Sequence, residues 1–560
     1  MKIYIRLTLI TFILFGCTDL SEEMFSSIGS ANFYQKHEHL LQSISTSYAY
    51  METAFTYDTK NEELTADQIL TPTRGIHGYN DGEYVRYITH NWTSLDNGVS
   101  APWGRYFSVI GFANSTINDL ESLNYEALGG SNEGKVLHIS ELRTLRAWAY
   151  LRLLDMYGGV PITDAITTDI PIRSSSHETF DFIEKELNES LVYLPTKNNN
   201  GELDKIYRIS KASNRLLLMR LYFNSEKYIS EKKYTDTKKL CDEIINGNYG
   251  DYDLDNSWNG PFKWDNSKSP EIIFAFPNEK GQSDMKGWWY SSYHHYKSHL
   301  TFGSSHGGTG WNGWGLAPSI TAKGELLNYK LGMPFSKYHE KDVRKKHWKY
   351  LGNGEYEGMF LYGLQLTFDG QDTVTGTEEY AGLPLVLVDY CARISEGDYT
   401  SNSLLNGEEN TGIRPIKIYP SYPDVNKEYQ AEADIPVMRL AEVYFTIAEC
   451  YLRDGDKNNA ALYLNKVIKR NYDDIDWNNQ SFDLKVNVND LDDSGYRMLE
   501  EWGKEFITEH RRRTDLIRWN KYTTETWFNH DEPSDPTKRL FPIPHSAING
   551  NPLLEQNPGY

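Results

Sequence analysis

The chain has 560 residues, of which 14 are tryptophan, 40 tyrosine and 22 phenylalanine, and its formal net charge is −21. The length is ample for a large core, and the excess of tyrosine favours a protein that recognises something at its surface. Because a strongly acidic surface repels a phosphate backbone, the charge argues against nucleic acid as a partner.

The first 16 residues have the pattern of a secretory signal. Lys2 and Arg6 form a basic start, and the apolar stretch 3–15 is too short to span a bilayer comfortably. The stretch ends in Leu-Phe-Gly-Cys at residues 14–17, which resembles a bacterial lipobox. We therefore expect cleavage before Cys17 and a lipid on its thiol, which would attach the mature protein to a membrane. An ordinary secretory signal followed by a chance cysteine is the alternative.

A short acidic run, Asp19, Glu22 and Glu23, follows the lipobox and resembles the export signal of surface lipoproteins in Bacteroidetes-type bacteria. No later stretch is apolar enough for a transmembrane helix. The three remaining cysteines are far apart and match neither a disulfide framework nor a zinc spacing, so we expect buried free thiols. They are Cys241, Cys391 and Cys450.

Residues 17–249 are predicted to form a helical scaffold. Apolar residues keep helical spacing over 40–51, 103–117, 142–156, 180–194 and 212–223. Gly158, Gly159 and Pro161 would end the third of these helices, and Ser210 suits an N-cap for the fifth. Successive helix pairs of this length indicate degenerate tetratricopeptide-like repeats, although an irregular helical domain would show the same periodicity.

Near Gly250 the composition shifts to Gly, Pro, Asn, Trp and Tyr, with short strand-like pieces at 271–274 and 385–388. Helical spacing returns at 440–451 and 461–468, and a last helix is predicted over 500–519. Four parts follow from these shifts. They are a signal peptide (1–16), an N-terminal helical scaffold (17–249), a loop-rich ligand-binding insertion (250–433), and C-terminal helices with a tail that complete the scaffold (434–560).

One stretch of the insertion, residues 287–315, is unusually rich in aromatic residues, glycine and histidine. It fits neither a helical nor a strand period. Flat rings on a polar loop suit a binding surface, where ring faces stack on the C–H faces of sugars and polar neighbours bind hydroxyls. A surface loop whose tryptophans fold back onto the domain is the alternative.

The candidate ligand-binding residues come from this stretch and from the earlier loop at 90–94. We predict stacking by one or two rings, because neighbouring tryptophans on an extended backbone point apart and at least one should pack inward. The candidates for stacking are Trp311, Trp314, Trp288, Trp289, Tyr290, Tyr293 and Trp92. The candidates for hydrogen bonds to sugar hydroxyls are His294, His295, Asn312 and Asn91.

The residues give little support for a metal, a cofactor or catalysis. His295 and His299 have the i, i+4 spacing of a helical metal site, but a glycine-rich loop does not impose that geometry. No Gly-x-Ser-x-Gly elbow, Walker loop or His-Glu-x-x-His motif is present. Glu501, Glu505 and Glu509 at i, i+4 spacing indicate an ion-pair network rather than a pair of catalytic carboxylates.

Four segments, taken in order, resemble the SusD/RagB family of nutrient-binding outer-membrane lipoproteins. They are LRAWAYLRLLDMYGGVPI at 145–162, DIPVMRLAEVY at 434–444, the late helix with its acidic and basic residues at 505–519, and the tail motifs FPIP, NP and QNPGY at 541–560. Trp502 departs from the pattern, since this family usually carries Arg directly after the first Glu of the late helix. The resemblance implies a mostly α-helical fold, in which tetratricopeptide-like helix pairs support a loop-rich ligand face.

The resemblance also implies a role. Such proteins form a lid over a SusC-like TonB-dependent barrel, capture glycans and pass them on without chemistry of their own. The expected location is the outer membrane of the cell, with the protein held by lipid on Cys17 and facing the exterior. A peptide-capturing lid of the same architecture and a surface glycan-degrading enzyme remain the alternatives.

Overall fold

The computed structural model describes residues 33–167, 169–197, 206–278, 292–303, 310–352, 354–418 and 433–560. Its α-helices are α1 (His37–Tyr57), α2 (Thr59–Glu62), α3 (Glu83–Ile88), α4 (Asn97–Ser122), α5 (Asn132–Tyr157), α6 (Ser176–Ser190), α7 (Lys211–Phe223), α8 (Ser225–Ile229), α9 (Tyr234–Ile245), α10 (Ser298–Phe302), α11 (Leu440–Arg453), α12 (Lys457–Ile468), α13 (Asp474–Asn478), α14 (Tyr496–Glu505), α15 (Arg512–Arg518) and α16 (His545–Gly550). The predicted lipobox with Cys17 lies outside the described residues.

The strands are short and pair only in twos within these ranges. They are β1 (Ile69–Leu70), β2 (Ile272–Phe276), β3 (Gly315–Leu316), β4 (Lys349–Gly352), β5 (Glu355–Glu357), β6 (Phe360–Leu361), β7 (Gly363–Leu364), β8 (Val386–Leu387), β9 (Arg414–Pro415) and β10 (Ile435–Arg439). All five pairs are antiparallel: β1 with β3, β2 with β10, β4 with β5, β6 with β9, and β7 with β8.

The long helices pack against one another in a continuous row. In this row α1 contacts α4, α4 contacts α5, α5 contacts α6, α6 contacts α7, α7 contacts α9, α9 contacts α11 and α11 contacts α12. The two helical regions predicted from the sequence therefore form one scaffold. The prediction of a mostly α-helical scaffold of helix pairs, with a loop-rich insertion containing short strands, is confirmed.

The sequence signals for helix ends act as expected. Ser210 caps α7, because its hydroxyl accepts a hydrogen bond from the N–H of Ser213. Gly158 ends α5 with a φ of 75°, a conformation that glycine adopts at no steric cost. Cys241, Cys391 and Cys450 are buried free thiols, as predicted. Over the described ranges, no helix combines the length and the apolarity needed to cross a membrane.

The two ends of the insertion are joined by the pair β2–β10. Ile435 lies opposite Phe276 and Arg439 opposite Ile272, so the chain leaves the scaffold and returns to it at the same place. The N–H of Leu440, the first residue of α11, donates to the carbonyl of Glu271 at 2.9 Å. The pairing holds the loop-rich region against the helical row, whereas the domain boundaries themselves stay a prediction.

The last predicted helix is wrong as a single element. The structure divides it into α14 and α15, with Thr508 and His510 between them at φ values of 64° and 56°. These left-handed conformations interrupt a helix, and the N–H of His510 donates to the buried Glu63 carboxylate at 2.9 Å instead of to a helical carbonyl. Tertiary contacts have overridden the local helical pattern.

The predicted ion-pair network is present, and it surrounds the β2–β10 junction. Buried Arg439 pairs with Glu271 at 2.9 Å, with Glu505 at 2.8 Å and with Glu509 at 2.7 Å. Arg470 adds a second bond to Glu505 at 2.7 Å. Burial alone would raise the pKa of Glu505, but the surrounding arginines outweigh it and hold that pKa well below its usual range.

We expect Glu505→Gln to destabilise the fold strongly, since it leaves buried guanidinium groups without a compensating charge. The expected loss of unfolding free energy is about 3–5 kcal/mol, measured by chemical denaturation near pH 7. Glu500→Gln is the matched control on the same helix, because Glu500 is only partly buried and its ion pairs are 3.5 to 4.0 Å long. It should cost no more than about 1 kcal/mol. Equal losses in the two variants would contradict the role of the network.

Candidate ligand-binding site

Trp311 is a large ring that stands in solvent on a firmly held backbone. Its side chain is 59% exposed. The next residue, Asn312, donates its N–H to the carbonyl of His294 at 2.7 Å, and the N–H of Trp314 donates to Ser292 at 2.7 Å. Before Trp311, a Cβ on Gly310 would lie 2.1 Å from the carbonyl oxygen of His295, so only glycine fits there. The backbone on both sides of the ring is therefore fixed against residues 292–295.

Arg74 holds this segment to a second loop. Its guanidinium donates to the carbonyls of Asn312 and Gly313, the latter at 2.9 Å. It also donates to the carbonyls of Glu408 at 3.1 Å and Thr411 at 2.8 Å. Burial lowers the pKa of Arg74 to about 10, which still leaves the group charged at neutral pH. Arg74 thus satisfies four carbonyls that regular secondary structure does not pair.

Asn312 is a structural residue, which corrects the prediction that it binds a ligand. It is buried and adopts a φ of 51°, a left-handed conformation that asparagine tolerates better than most residues. Its amide nitrogen donates to the carbonyl of Glu409 at 2.8 Å, and its side-chain oxygen accepts from Arg414 at 2.6 Å. Both ends of the amide are occupied by the protein and are directed away from solvent.

His295 is likewise a structural residue rather than a ligand contact. Its Nδ1 accepts from the N–H of Lys297 at 3.0 Å, which places the ring proton on Nε2, and Nε2 is 2.9 Å from the Glu409 carboxylate. Burial lowers the pKa of His295, although the bond to Glu409 acts in the opposite direction. A neutral His295 therefore donates to an ionised Glu409.

Glu409 joins this histidine to a third loop. Its carboxylate also accepts from the N–H of Thr377 at 2.7 Å and from the N–H of Glu378 at 2.7 Å. Burial opposes ionisation, but the bonds from His295 and from these N–H groups outweigh it and lower the pKa of Glu409 to about 2. The segments at 295, 377–378 and 409 are thus held around one buried charge.

Three partly exposed polar groups belong to the segments that hold the backbone of Trp311. Tyr296 follows His295 directly and is only partly buried. Burial raises the pKa of Tyr296, and the charge of Glu378 acts in the same direction. His77 and Glu378 are both partly exposed, with 3.6 Å between Nε2 and the carboxylate. A phenol, an imidazole and a carboxylate are donors and acceptors that suit sugar hydroxyls.

Two of the predicted stacking rings are packed inside the protein. Trp314 is 3% exposed and meets the buried ring of Tyr293 edge to face, with 5.3 Å between centroids. Neither ring has a face for a ligand, so the predicted stacking role is corrected for both. His294 is buried too, with its ring 5.0 Å from that of Phe302, and burial lowers its pKa to about 3. Trp288, Trp289 and Tyr290 lie outside the described residues.

Trp92 of the earlier loop has no ring face open to a ligand, which corrects the prediction that it stacks on a sugar. Trp92 is 1% exposed, and its indole N–H donates to the hydroxyl of Tyr560 at 2.7 Å. Its ring also meets Phe541 edge to face at 5.2 Å, so Trp92 packs against the C-terminal tail. Asn91 is exposed but bonds to Thr89 at 3.1 Å, and none of these contacts involves the segment around Trp311.

Sequence reasoning missed the residues that build the site, Arg74 and Glu409. A usable signal existed for Arg74, a single arginine in a loop between Pro72 and Gly75, where irregular backbone needs side-chain donors. Across the described part of the chain, no group of three or more His, Cys, Asp or Glu side chains is arranged to hold a metal ion.

A cavity of about 550 Å³ lies elsewhere. It is lined by residues of 517–558, most often threonine, asparagine and proline, beside the C-terminal tail. None of its lining residues belongs to the segments around Trp311, so volume alone does not identify the ligand site.

Sequence and structure comparisons with known proteins both match the SusD family. A sequence model of the SusD family matches residues 270–560. The starch-binding protein SusD of Bacteroides thetaiotaomicron is 24% identical over 452 residues, which cover 75% of this chain and 72% of that protein.

Solved structures show the same fold at low identity. A SusD superfamily protein from Bacteroides fragilis superposes with a TM-score of 0.64 at 21% identity, covering 94% of this chain and 100% of the other. The surface glycan-binding protein A of Bacteroides thetaiotaomicron superposes with a TM-score of 0.64 at 16% identity, with the same coverage of 94% and 100%.

We expect Trp314→Ala to cost about 3–5 kcal/mol of unfolding free energy, because it leaves a cavity in the core. Trp311→Ala removes an exposed ring and should change that free energy by no more than about 0.5 kcal/mol. Chemical denaturation of both variants measures the difference. A large loss of stability in Trp311→Ala would show that its ring is packed in solution.

We expect Glu409→Gln to destabilise the protein in a pH-dependent way. The pKa of Glu409 lies below the unfolded value of about 4.5, so its contribution is complete above that value and is lost as pH falls towards 2. The deficit of the variant should be roughly 2 kcal/mol at pH 7 and should narrow below about pH 5. Glu378→Gln, which keeps the backbone donor to Glu409, is the control. A deficit that does not change with pH would contradict the ionised state of Glu409.

Proposed function

We propose, because this chain belongs to the SusD family, that it binds glycans at the cell surface and delivers them to a SusC-like TonB-dependent outer-membrane transporter. The likeness covers the C-terminal half in the family comparison and nearly the whole chain in the structural comparison. The ligand would be an oligosaccharide or a polysaccharide.

The observation that carries this proposal is the exposure of Trp311 on a backbone fixed from three sides. An indole face offered to solvent matches the apolar C–H face of a sugar ring, and a fixed backbone avoids the entropy that a mobile loop would lose on binding. The partly exposed groups of these segments, Tyr296, Glu378 and His77, supply directional hydrogen bonds for hydroxyls. Stacking would select shape, and these polar groups would select hydroxyl orientation.

The names of the relatives support the same class of function. One is a starch-binding protein and another a surface glycan-binding protein. They are named for binding rather than for catalysis, which supports the expectation that this chain is not an enzyme. The glycan of this chain need not be starch, since the family relation is distant at 24% identity.

The location and the partner are part of the proposal. Lipid on Cys17 would attach the protein to the outer membrane, and the acidic residues that follow resemble the signal for display on the outside. A SusC-like barrel in the same membrane would take up the captured glycan. A Cys17→Ala variant tests the attachment. Its protein should remain intact but should no longer be found in the outer-membrane fraction.

We expect Trp311→Ala to weaken binding to the cognate glycan tenfold or more, about 1.4 kcal/mol or above, while leaving the melting temperature unchanged. Tyr193→Ala is the control, because Tyr193 is an exposed ring on the helical scaffold, and it should leave affinity intact. Calorimetry against a panel of soluble polysaccharides, including amylopectin, first identifies the ligand. The same panel includes a tryptic peptide mixture.

If Trp311→Ala binds the glycan with unchanged affinity, Trp311 is not part of the binding site. Binding of peptides with no binding of any polysaccharide would replace the proposal with a peptide-capturing lid. Formation of new reducing ends during incubation would indicate hydrolysis and would overturn the assignment as a binding protein.

A further inference from the structure

A second set of aromatic rings reaches solvent on the insertion, at Trp264, Tyr350 and Phe368, which we call the hairpin platform. Trp264 and Phe368 are each 39% exposed, and Tyr350 is partly buried. The three rings come from separate segments, one of them the strand β4, and none was a candidate from the sequence.

Trp264 lies directly on a glycine. Gly354 has a φ of 78°, and a Cβ there would be 1.7 Å from the indole nitrogen of Trp264. The absence of a side chain lets the indole contact the backbone beside β5, while the rest of the ring reaches solvent. Lys263, which precedes Trp264, and Glu355, which follows Gly354, form an ion pair of 2.6 Å.

Phe368 has the same relation to a second glycine. Gly303 also has a φ of 78°, and a Cβ there would be 2.7 Å from Cγ of Phe368. The N–H of Phe368 donates to the carbonyl of Leu300 at 2.9 Å, which fixes the ring over the end of α10. Each exposed ring therefore has one region packed on glycine backbone and another open to solvent.

Tyr350 connects the rings of Trp264 and Phe368. Its ring centroid is 5.3 Å from that of Phe368, with 32° between the planes. Its hydroxyl accepts from the N–H of Gly354 at 3.1 Å, directly under Trp264. The three rings thus form one continuous surface rather than scattered exposed residues.

The segment of Trp311 and the hairpin platform adjoin opposite ends of α10. This helix begins next to His295, which bonds to Glu409 under the Trp311 site, and ends at Gly303 under Phe368. Five residues of helix rise about 7.5 Å, so a chain of a few sugars on Trp311 could extend along α10 to the platform.

We propose that the hairpin platform is a second glycan-stacking surface, which binds the same polysaccharide chain further along from Trp311. This inference depends on the proposed function. It adds that the protein recognises a polysaccharide chain several sugars long. Rings backed by glycine offer flat faces, and polar groups lie beside them: Asp369 follows Phe368, and its carboxylate accepts from Thr367 at 2.6 Å. Such a surface suits a polymer better than a single sugar.

The test compares a long and a short ligand of the same linkage, the cognate polysaccharide and its trisaccharide. Trp264→Ala and Phe368→Ala should each weaken binding of the polysaccharide about fivefold or more and leave binding of the trisaccharide unchanged. Trp311→Ala should weaken both. Leu351→Ala is the matched control, since Leu351 is exposed on the same strand as Tyr350 but carries no ring. Melting temperatures of all four variants exclude unfolding as the cause.

Three outcomes separate the inferences. Wild-type affinity for the polysaccharide in both platform variants, with a loss in Trp311→Ala, overturns the platform and keeps the proposed function. Wild-type affinity in all three ring variants overturns the Trp311 site as well. The platform variants could also bind glycan normally but no longer co-purify with the outer-membrane transporter. That result would show a protein-docking surface and would also overturn the glycan platform.

Discussion

Backbone groups in a long irregular region must find hydrogen-bond partners outside helices and sheets, and in this protein buried arginines supply many of them. Arg74 alone donates to four carbonyls from two loops, at Asn312, Gly313, Glu408 and Thr411. A guanidinium suits this task because it carries five donors in a fixed plane. The position of Trp311 in space depends on these bonds, since its own side chain is 59% exposed.

The arginines are balanced by carboxylates that are also buried, and this makes the arrangement rigid and sensitive to single changes. Around Arg439 the ion pairs join β2, β10 and the end of α14, where the insertion leaves and rejoins the scaffold. Around Glu409 one carboxylate accepts from donors on two other segments, His295 and residues 377–378. Removing one partner of such a group leaves the other charges buried and unpaired. This costs more unfolding free energy than the loss of an exposed ion pair.

A rigid, loop-built face on a helical row also accounts for the proposed capture of glycans. Sugars offer weakly apolar faces and many hydroxyls, so affinity for a single sugar is small and a longer contact surface adds to it. The backbone segment of Trp311 adjoins the start of α10, and Phe368 of the hairpin platform packs at its end. The overall charge of −21 does not oppose this use, because neutral glycans are not repelled.

The sequence determined the helical scaffold, its helix ends at Ser210 and Gly158, and the family resemblance, because these depend on periodicity and capping over a few neighbouring residues. It also proposed the stretch that contains Trp311, the one predicted stacking ring among the described residues that is exposed. It could not decide which aromatic rings would be exposed. Trp92, Tyr293 and Trp314 have the same local setting of polar residues and glycine as Trp311, yet they are buried by partners such as Tyr560 that are distant in sequence. Only the tertiary structure decides exposure, because burial is a sum over contacts from remote segments, and no local pattern records that sum.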